Sequence, residues 1–366
     1  MLDDLDPSLA NLAQETPQEG AVAITKALSE YETEDVQWLW HPYLPIGKLV
    51  IIEGHPSLGK STLTCEIASI ATRGRAYPCG TSNQPMNVLM VAVEDAPSDT
   101  IKPRVLASNG DVDRIRFLEG IKLPMTLGES TTDLSEQSHI EAIRNAIQEH
   151  QIGIVIIDPL MGLVGDSRDT HKDQSMRQIT TPLTKLAKEE RVTIILVRHL
   201  TKGGGNQAIL RGGGSIAIAG SARVVMLIAK DPQNEQKRVL AMVKNNLAPF
   251  QPSLSFHIVN DVTNKAGRIE WLGESQLSAD DLLQVPIGED KSALDEAKDF
   301  LIAELTNGAK SFKAIEANSR ECGISQKTLE RAKKELKIES KKSKSDFGSG
   351  WNWHLPSQYH PNDPLQ

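Results

Sequence analysis

Cysteine is scarce: Cys65, Cys79 and Cys322 are the three in 366 residues, far apart and without a C-x-x-C pair. A disulfide framework and a zinc knuckle are thereby excluded, and a reducing cytoplasm is the expected setting. Long apolar runs are also missing, none nearing the roughly 18 to 20 residues of a membrane span, so no membrane association is expected. The opening Met1-Leu2-Asp3-Asp4 is acidic, unlike the basic start of an export signal. A cationic excess is absent as well. Forty Lys and Arg against 48 Asp and Glu give a formal charge of −8, which excludes a polycation that coats nucleic acid with its whole surface. No internal repeat is evident.

What is present is unevenly spread. Residues 1–35 hold nine acidic side chains against the single Lys26 and read as an acidic mobile arm with one short helix over 21–31. Residues 310–345 hold eleven Lys and Arg against five Glu, a local +6 that leaves −14 elsewhere. Polar, acidic residues around Pro286 and Gly288 mark a linker. The expected organisation is arm 1–35, core 36–275, linker 276–292, a small C-terminal domain 293–356 and a tail 357–366.

The core alternates β-branched runs (48–53, 88–93, 152–158, 192–198, 224–229 and 239–244) with helical periods such as Ile140, Ile143 and Ile147. Continuous apolar runs suit strands covered on both faces. An α/β fold follows, a mostly parallel sheet flanked by helices, extended by antiparallel strands over 253–259 and 268–271.

The first strand runs into Gly54-His55-Pro56-Ser57-Leu58-Gly59-Lys60-Ser61, a G-x-x-x-x-G-K-S octet leading into a helix that starts at Ser61 and continues through Thr62. Glycines let backbone N–H groups curl around phosphates, Lys60 meets the β and γ phosphates, and Ser61 can hold Mg²⁺. ATP with Mg²⁺ is therefore expected. Asp158, at the tip of an apolar strand, needs a cation or donors and is expected to join Ser61 at the metal. Glu94-Asp95 closes another strand, and Glu94 is expected to orient and deprotonate the attacking water, with Asp95 as the rival.

These residues, together with Trp38-Leu39-Trp40, Arg104, Arg198-His199, Arg211-Gly212-Gly213-Gly214-Ser215 and Ala219-Gly220-Ser221-Ala222-Arg223, resemble the RecA-like ATPases, most nearly the RepA-type hexameric helicases of plasmids and phages. The resemblance implies a homo-oligomeric ring, a hexamer, with ATP between subunits. It further implies that His199 senses the γ-phosphate, that Arg223, inside a helix, completes the neighbour's site, that Lys244 matches a trans-acting lysine, and that Arg104 stacks on the base. Asn246 stands where that lysine's partner arginine would be, which shifts weight to Arg223.

Loops 161–173 and 200–214 occupy the positions that face DNA in that group; six glycines loosen the second, and Lys202 and Arg211 offer phosphate contacts. In the C-terminal unit, Ser311 and Ser325 are expected to cap two helices, the second carrying Lys327, Arg331, Lys333 and Lys334, followed by a hairpin. That pattern resembles a winged-helix DNA-binding module, with Lys327, Arg331 and Lys334 set to meet DNA. The basic helix could instead dock on an acidic face of a neighbouring subunit. The sequence thus leads to a ring-forming DNA motor of a mobile element, with an ATP-switched DNA binder and a small-molecule kinase as alternatives.

Overall fold

The structure, a computed structural model, describes residues 23–80, 82–122, 133–163, 173–200, 216–284, 293–305, 308–322, 324–342 and 351–356. Residues up to Asp35 form a unit of their own. Where a short helix was expected, its described part holds one 3₁₀ turn, Leu28–Glu30, closed by Ala27 N–H donating to Glu30 Oε1 at 3.0 Å.

From Val36 onward the chain runs β1 (Trp38–Trp40), β2 (Leu44–Pro45), β3 (Leu49–Gly54), α1 (Lys60–Arg73), β4 (Asn87–Ala92), α2 (Lys102–Ala107), β5 (Ile115–Phe117), α3 (Gln137–Glu149), β6 (Ile152–Asp158), α4 (Asp173–Glu190), β7 (Thr193–His199), α5 (Ile216–Ser221) and β8 (Val224–Asp231). Then follow β9 (Asn234–Asn245), β10 (Ser253–Asp261), β11 (Ala266–Ser275), α6 (Ala279–Gln284), α7 (Ala293–Leu305), β12 (Lys310–Ser311), α8 (Phe312–Glu321), α9 (Gln326–Glu335), β13 (Glu339–Lys342) and β14 (Trp351–His354).

Nine strands form one sheet in the order β11-β10-β9-β8-β3-β7-β6-β4-β5. From β8 to β5 all neighbours are parallel, and β9 to β11 continue antiparallel. This is the RecA-like α/β fold. All six residues of β3 are buried, as a strand covered by helices on both sides requires. Alternation then sorts its side chains. Val50 and Ile52 join Leu63 and Ile67 of α1, while Leu49 and Ile51 join Ile140 and Ile143 of α3 and Ile179 and Leu183 of α4. Each such fully buried aliphatic side chain contributes roughly 1.5–3 kcal/mol of transfer free energy.

The stretch expected as a linker begins as packed structure. Ser278 and Asp281 cap α6 reciprocally, Asp281 N–H donating to Ser278 Oγ at 3.1 Å and Ser278 N–H to Asp281 Oδ2 at 2.9 Å. Ala279, Leu282 and Leu283 then pack on Leu227, Val239 and Ala241. Residues 285–292 lie outside the described part.

A separate core gathers Leu301, Ile315, Leu329, Ala332 and Trp353 between α7, α8, α9 and a three-stranded sheet ordered β12-β14-β13. Both expected caps form: Ser311 Oγ accepts from Ala314 N–H, and Ser325 Oγ accepts from Thr328 N–H, each at 3.2 Å. Trp353 is buried against Phe312 with Lys333 Nζ 4.1 Å from its ring centroid, whereas Trp351 is half exposed. Among the described residues no helix is long and apolar enough to cross a membrane.

Candidate functional site

Adjacent parallel strands β3, β7, β6 and β4 end on the same side of the sheet, where open α/β sheets receive ligands. Chain geometry thus delivers the octet after β3, His199 at the end of β7, Asp158 at the end of β6 and Glu94 just past β4 to one place. A hollow there is lined by Ser61, Thr64, Glu94, Asp95 and Asp158.

The octet is held from behind by sheet atoms. A Cβ on Gly54 would stand 2.6 Å from the backbone oxygen of Ile228, and one on Gly59 would stand 2.2 Å from Ile258 Cδ1. Gly59 also takes φ 86°, left-handed backbone that favours glycine, and Ser57 takes φ 63°. Lys60 opens α1 and is 5% exposed; its Nζ donates to the carbonyls of Gly54 at 3.0 Å and His55 at 2.8 Å. Burial lowers its pKa to about 8, opposed by the charge of Asp158. Thr62 and Leu58 are buried beside it.

Asp158 is buried, and its Oδ2 accepts from Thr64 Oγ1 at 3.2 Å. Burial, then Asp95, raises its pKa to about 6, while Ser61, Lys60 and Thr64 pull the other way. A hydroxyl and one carboxylate beside a phosphate cradle are hard oxygen donors of the sort Mg²⁺ takes together with phosphate oxygens. Among the described residues no cluster of three or more His, Cys, Asp or Glu could hold a metal without such help.

The two candidate bases differ in their partners. Asp95 Oδ2 accepts from Arg104 Nη1 at 2.5 Å, which commits both groups to each other. Glu94 Oε1 is enclosed without a hydrogen-bond partner, and burial, then Glu304, raises its pKa to about 8. An acceptor in want of a donor suits a water molecule better than the paired Asp95 does. His199 lies opposite Gly54 in the β3–β7 register, and its buried Nδ1 has no partner. Burial, then the Lys60 charge, holds its pKa well below the usual histidine range, so the ring is neutral at pH 7.

Arg223 and Lys244 stand at the other end of the sheet. Contrary to the expected helical position, α5 stops at Ser221, and Arg223 is an exposed residue before β8 whose N–H bonds Leu49 O at the start of β3. Lys244 Nζ donates to Ala219 O at 2.9 Å, Gly220 O at 3.3 Å and Ala222 O at 2.8 Å, closing the C-terminal end of α5. Neither residue lines the hollow. Lys327, Arg331 and Lys334 share the exposed side of α9. Lys202, Arg211 and most of the two glycine- and polar-rich loops lie outside the described residues.

One pair of functional interest was not foreseen. Glu53 and Arg198, paired in register across β3 and β7, are 0% and 1% exposed, and Oε2 accepts from Nε at 2.8 Å and Nη2 at 2.5 Å. The available signal was an acid and a base, each one residue before the end of an otherwise apolar strand.

A family profile described as an AAA domain matches residues 14–205. DNA repair protein RadA of Bacillus subtilis is 33% identical over 161 residues, 43% of this chain and 29% of the relative. The probable replicative DNA helicase of Trieres chinensis is 25% identical over 175 residues, 44% of this chain and 38% of the relative. Replicative DNA helicase DnaB of Rickettsia conorii is 24% identical over 170 residues, 42% of this chain and 34% of the relative. The chain thus spans less than two fifths of the length of each of these three.

Proposed function

The chain belongs to the AAA domain family, and from that premise we propose that it is an ATP-hydrolysing, ring-forming motor that acts on DNA, a RepA-like replicative helicase of a mobile element working in the cytoplasm. The observation that carries the reading is the meeting of Lys60, Ser61, Glu94, Asp158 and His199 at the carboxyl ends of four neighbouring strands. Relatives named as helicases and as a DNA repair protein support the DNA part.

In this reading Lys60 exchanges the carbonyls of Gly54 and His55 for the β and γ phosphates of ATP, which the octet and Thr62 cradle. Ser61 and Asp158 would hold Mg²⁺, which when bound neutralises charge on the phosphate oxygens. Glu94 accepts the proton of the attacking water; its raised pKa makes it a stronger base than an ordinary carboxylate. Neutral His199 contacts the γ-phosphate and, as the last residue of β7, reports its loss directly to the following segment 200–214, where Lys202 and Arg211 meet single-stranded DNA.

Arg223 lies too far along the sheet to serve its own site, so it acts on the neighbour in a hexamer, with Lys244 fixing the α5 end beside it. Arg104, tied to Asp95, borders the base. The C-terminal unit acts as a winged-helix-like domain, 293–356, whose α9 presents Lys327, Arg331 and Lys334 to duplex DNA.

Strand displacement on forked DNA tests the reading. The wild-type chain is expected to separate strands with ATP, and Lys60→Ala to lose both hydrolysis and separation. A wild-type preparation that hydrolyses ATP yet separates no fork would replace the motor with an ATP-switched DNA binder; turnover indifferent to DNA from a monomer would favour a small-molecule kinase.

A further inference from the structure

We propose that the Glu53–Arg198 ion pair is a positioning device for hydrolysis, locking the strand end that becomes the P-loop to the strand end that carries His199. The inference rests on the hydrolase reading given above and assigns that site two residues the reading does not use.

Glu53 and Arg198 are register partners across parallel strands, as are the next residues, Gly54 and His199. Side chains alternate along both strands. Glu53 follows Leu49 and Ile51, and Arg198 follows Ile194 and Leu196, on the face covered by α3 and α4. His199 follows Ile195, on the face covered by α1. The pair therefore takes the face of the sheet opposite to that of His199. Beyond the pair the chains remain joined by Leu200 N–H donating to Gly54 O at 3.2 Å.

Two N–H groups of one planar guanidinium converge on a single carboxylate oxygen, which fixes lateral and longitudinal register together. Buried charges are costly, and replacing a buried ion pair by apolar residues of similar volume is often neutral for stability. What an apolar pair cannot supply is direction: it packs equally well with the strands shifted by a fraction of an ångström. Catalysis by aligned groups is sensitive to shifts of that size. The other oxygen, Glu53 Oε1, is enclosed without a hydrogen-bond partner.

The test uses the full-length chain carrying Glu53→Leu together with Arg198→Met, beside Arg198→Lys. Three quantities are read: the thermal unfolding midpoint, the Kd for a fluorescent ATP analogue, and kcat for ATP. The double variant is expected to unfold at or above the wild-type midpoint and to bind the analogue within about threefold of wild type, while kcat falls at least about tenfold. Arg198→Lys, which keeps the charge and loses the fork, is expected to fall between the two. A folded double variant with wild-type kcat overturns the proposal, and so does a parallel loss of folding, binding and turnover, which would make the pair simply structural. Wild-type protein that turns over no ATP sinks the hydrolase reading and the proposal together; wild-type turnover matched by the double variant sinks the proposal alone.

Discussion

The strand-end site and the exposed side of α9 both concentrate charge, and they treat it oppositely. Lys60, Glu94, Asp158 and His199 are enclosed, and burial is the first cause of every shift in their pKa values. Lys327, Arg331 and Lys334 stand in water, where a charge acts at range and is screened by salt. Enclosure makes charge reactive and specific in geometry; exposure makes it adhesive and tolerant of position. Perturbations should separate the two.

The largest effect is expected from Glu94→Gln, which on the proposed mechanism removes the acceptor for the water proton and lowers kcat roughly a hundred- to ten-thousandfold with DNA affinity unchanged. Steady-state turnover and a DNA-binding titration on one preparation check this.

Next comes pH. The folded pKa values of Glu94 and Asp158, about 8 and about 6, are raised, so their contribution to stability is complete below the unfolded values and lost as pH rises through 6 and then 8. Lys60 is depressed to about 8, so its contribution exists at high pH and is already lost on falling through 8. Between pH 8 and 5 the carboxylates therefore favour the nucleotide-free fold on acidification, while turnover by the proposed mechanism, which uses them ionised, is expected to rise with pH. Thermal midpoints and kcat measured over that range should run in opposite directions, and Glu94→Gln should flatten both at the alkaline end.

Salt addresses the other region. Replacing Lys327, Arg331 and Lys334 by Ala should reduce the slope of log K for DNA against log salt by about 2 to 3, and leave DNA-free turnover unchanged. The smallest effect is expected at Ser325→Ala, which removes the cap of α9 and costs about 1 kcal/mol of stability, read by calorimetry.

Much of the strand-end site was legible because its chemistry is local: the octet is contiguous, and Asp158 and Glu94 close β-branched apolar runs that read as buried strands. The caps Ser311 and Ser325 were legible for the same reason. Arg223 was misplaced because α5 ends at Ser221 and the next residues are drawn to β3 by the bond from Arg223 N–H to Leu49 O, a contact between residues far apart in the chain. Strands β1, β2, β5 and β12 are two or three residues long and carry no period of their own. Helix α6 did announce itself, in Ser278 and Asp281 and in the spacing of Ala279, Leu282 and Leu283, but its acidic setting read as linker. Glu53 and Arg198 are separated by 145 positions, and only the parallel register makes them neighbours.

The ammonium of Lys60, seated on two carbonyls, makes nucleotide binding a replacement. Near pH 8 it is about half protonated in the empty site, and arrival of a triphosphate completes its charge. Binding should therefore draw protons from the buffer on this lysine's account, giving a calorimetric heat that varies with the buffer's ionisation enthalpy. Release of product should return them, so that each turnover carries a small proton tide through a site whose proposed base, Glu94, works unprotonated.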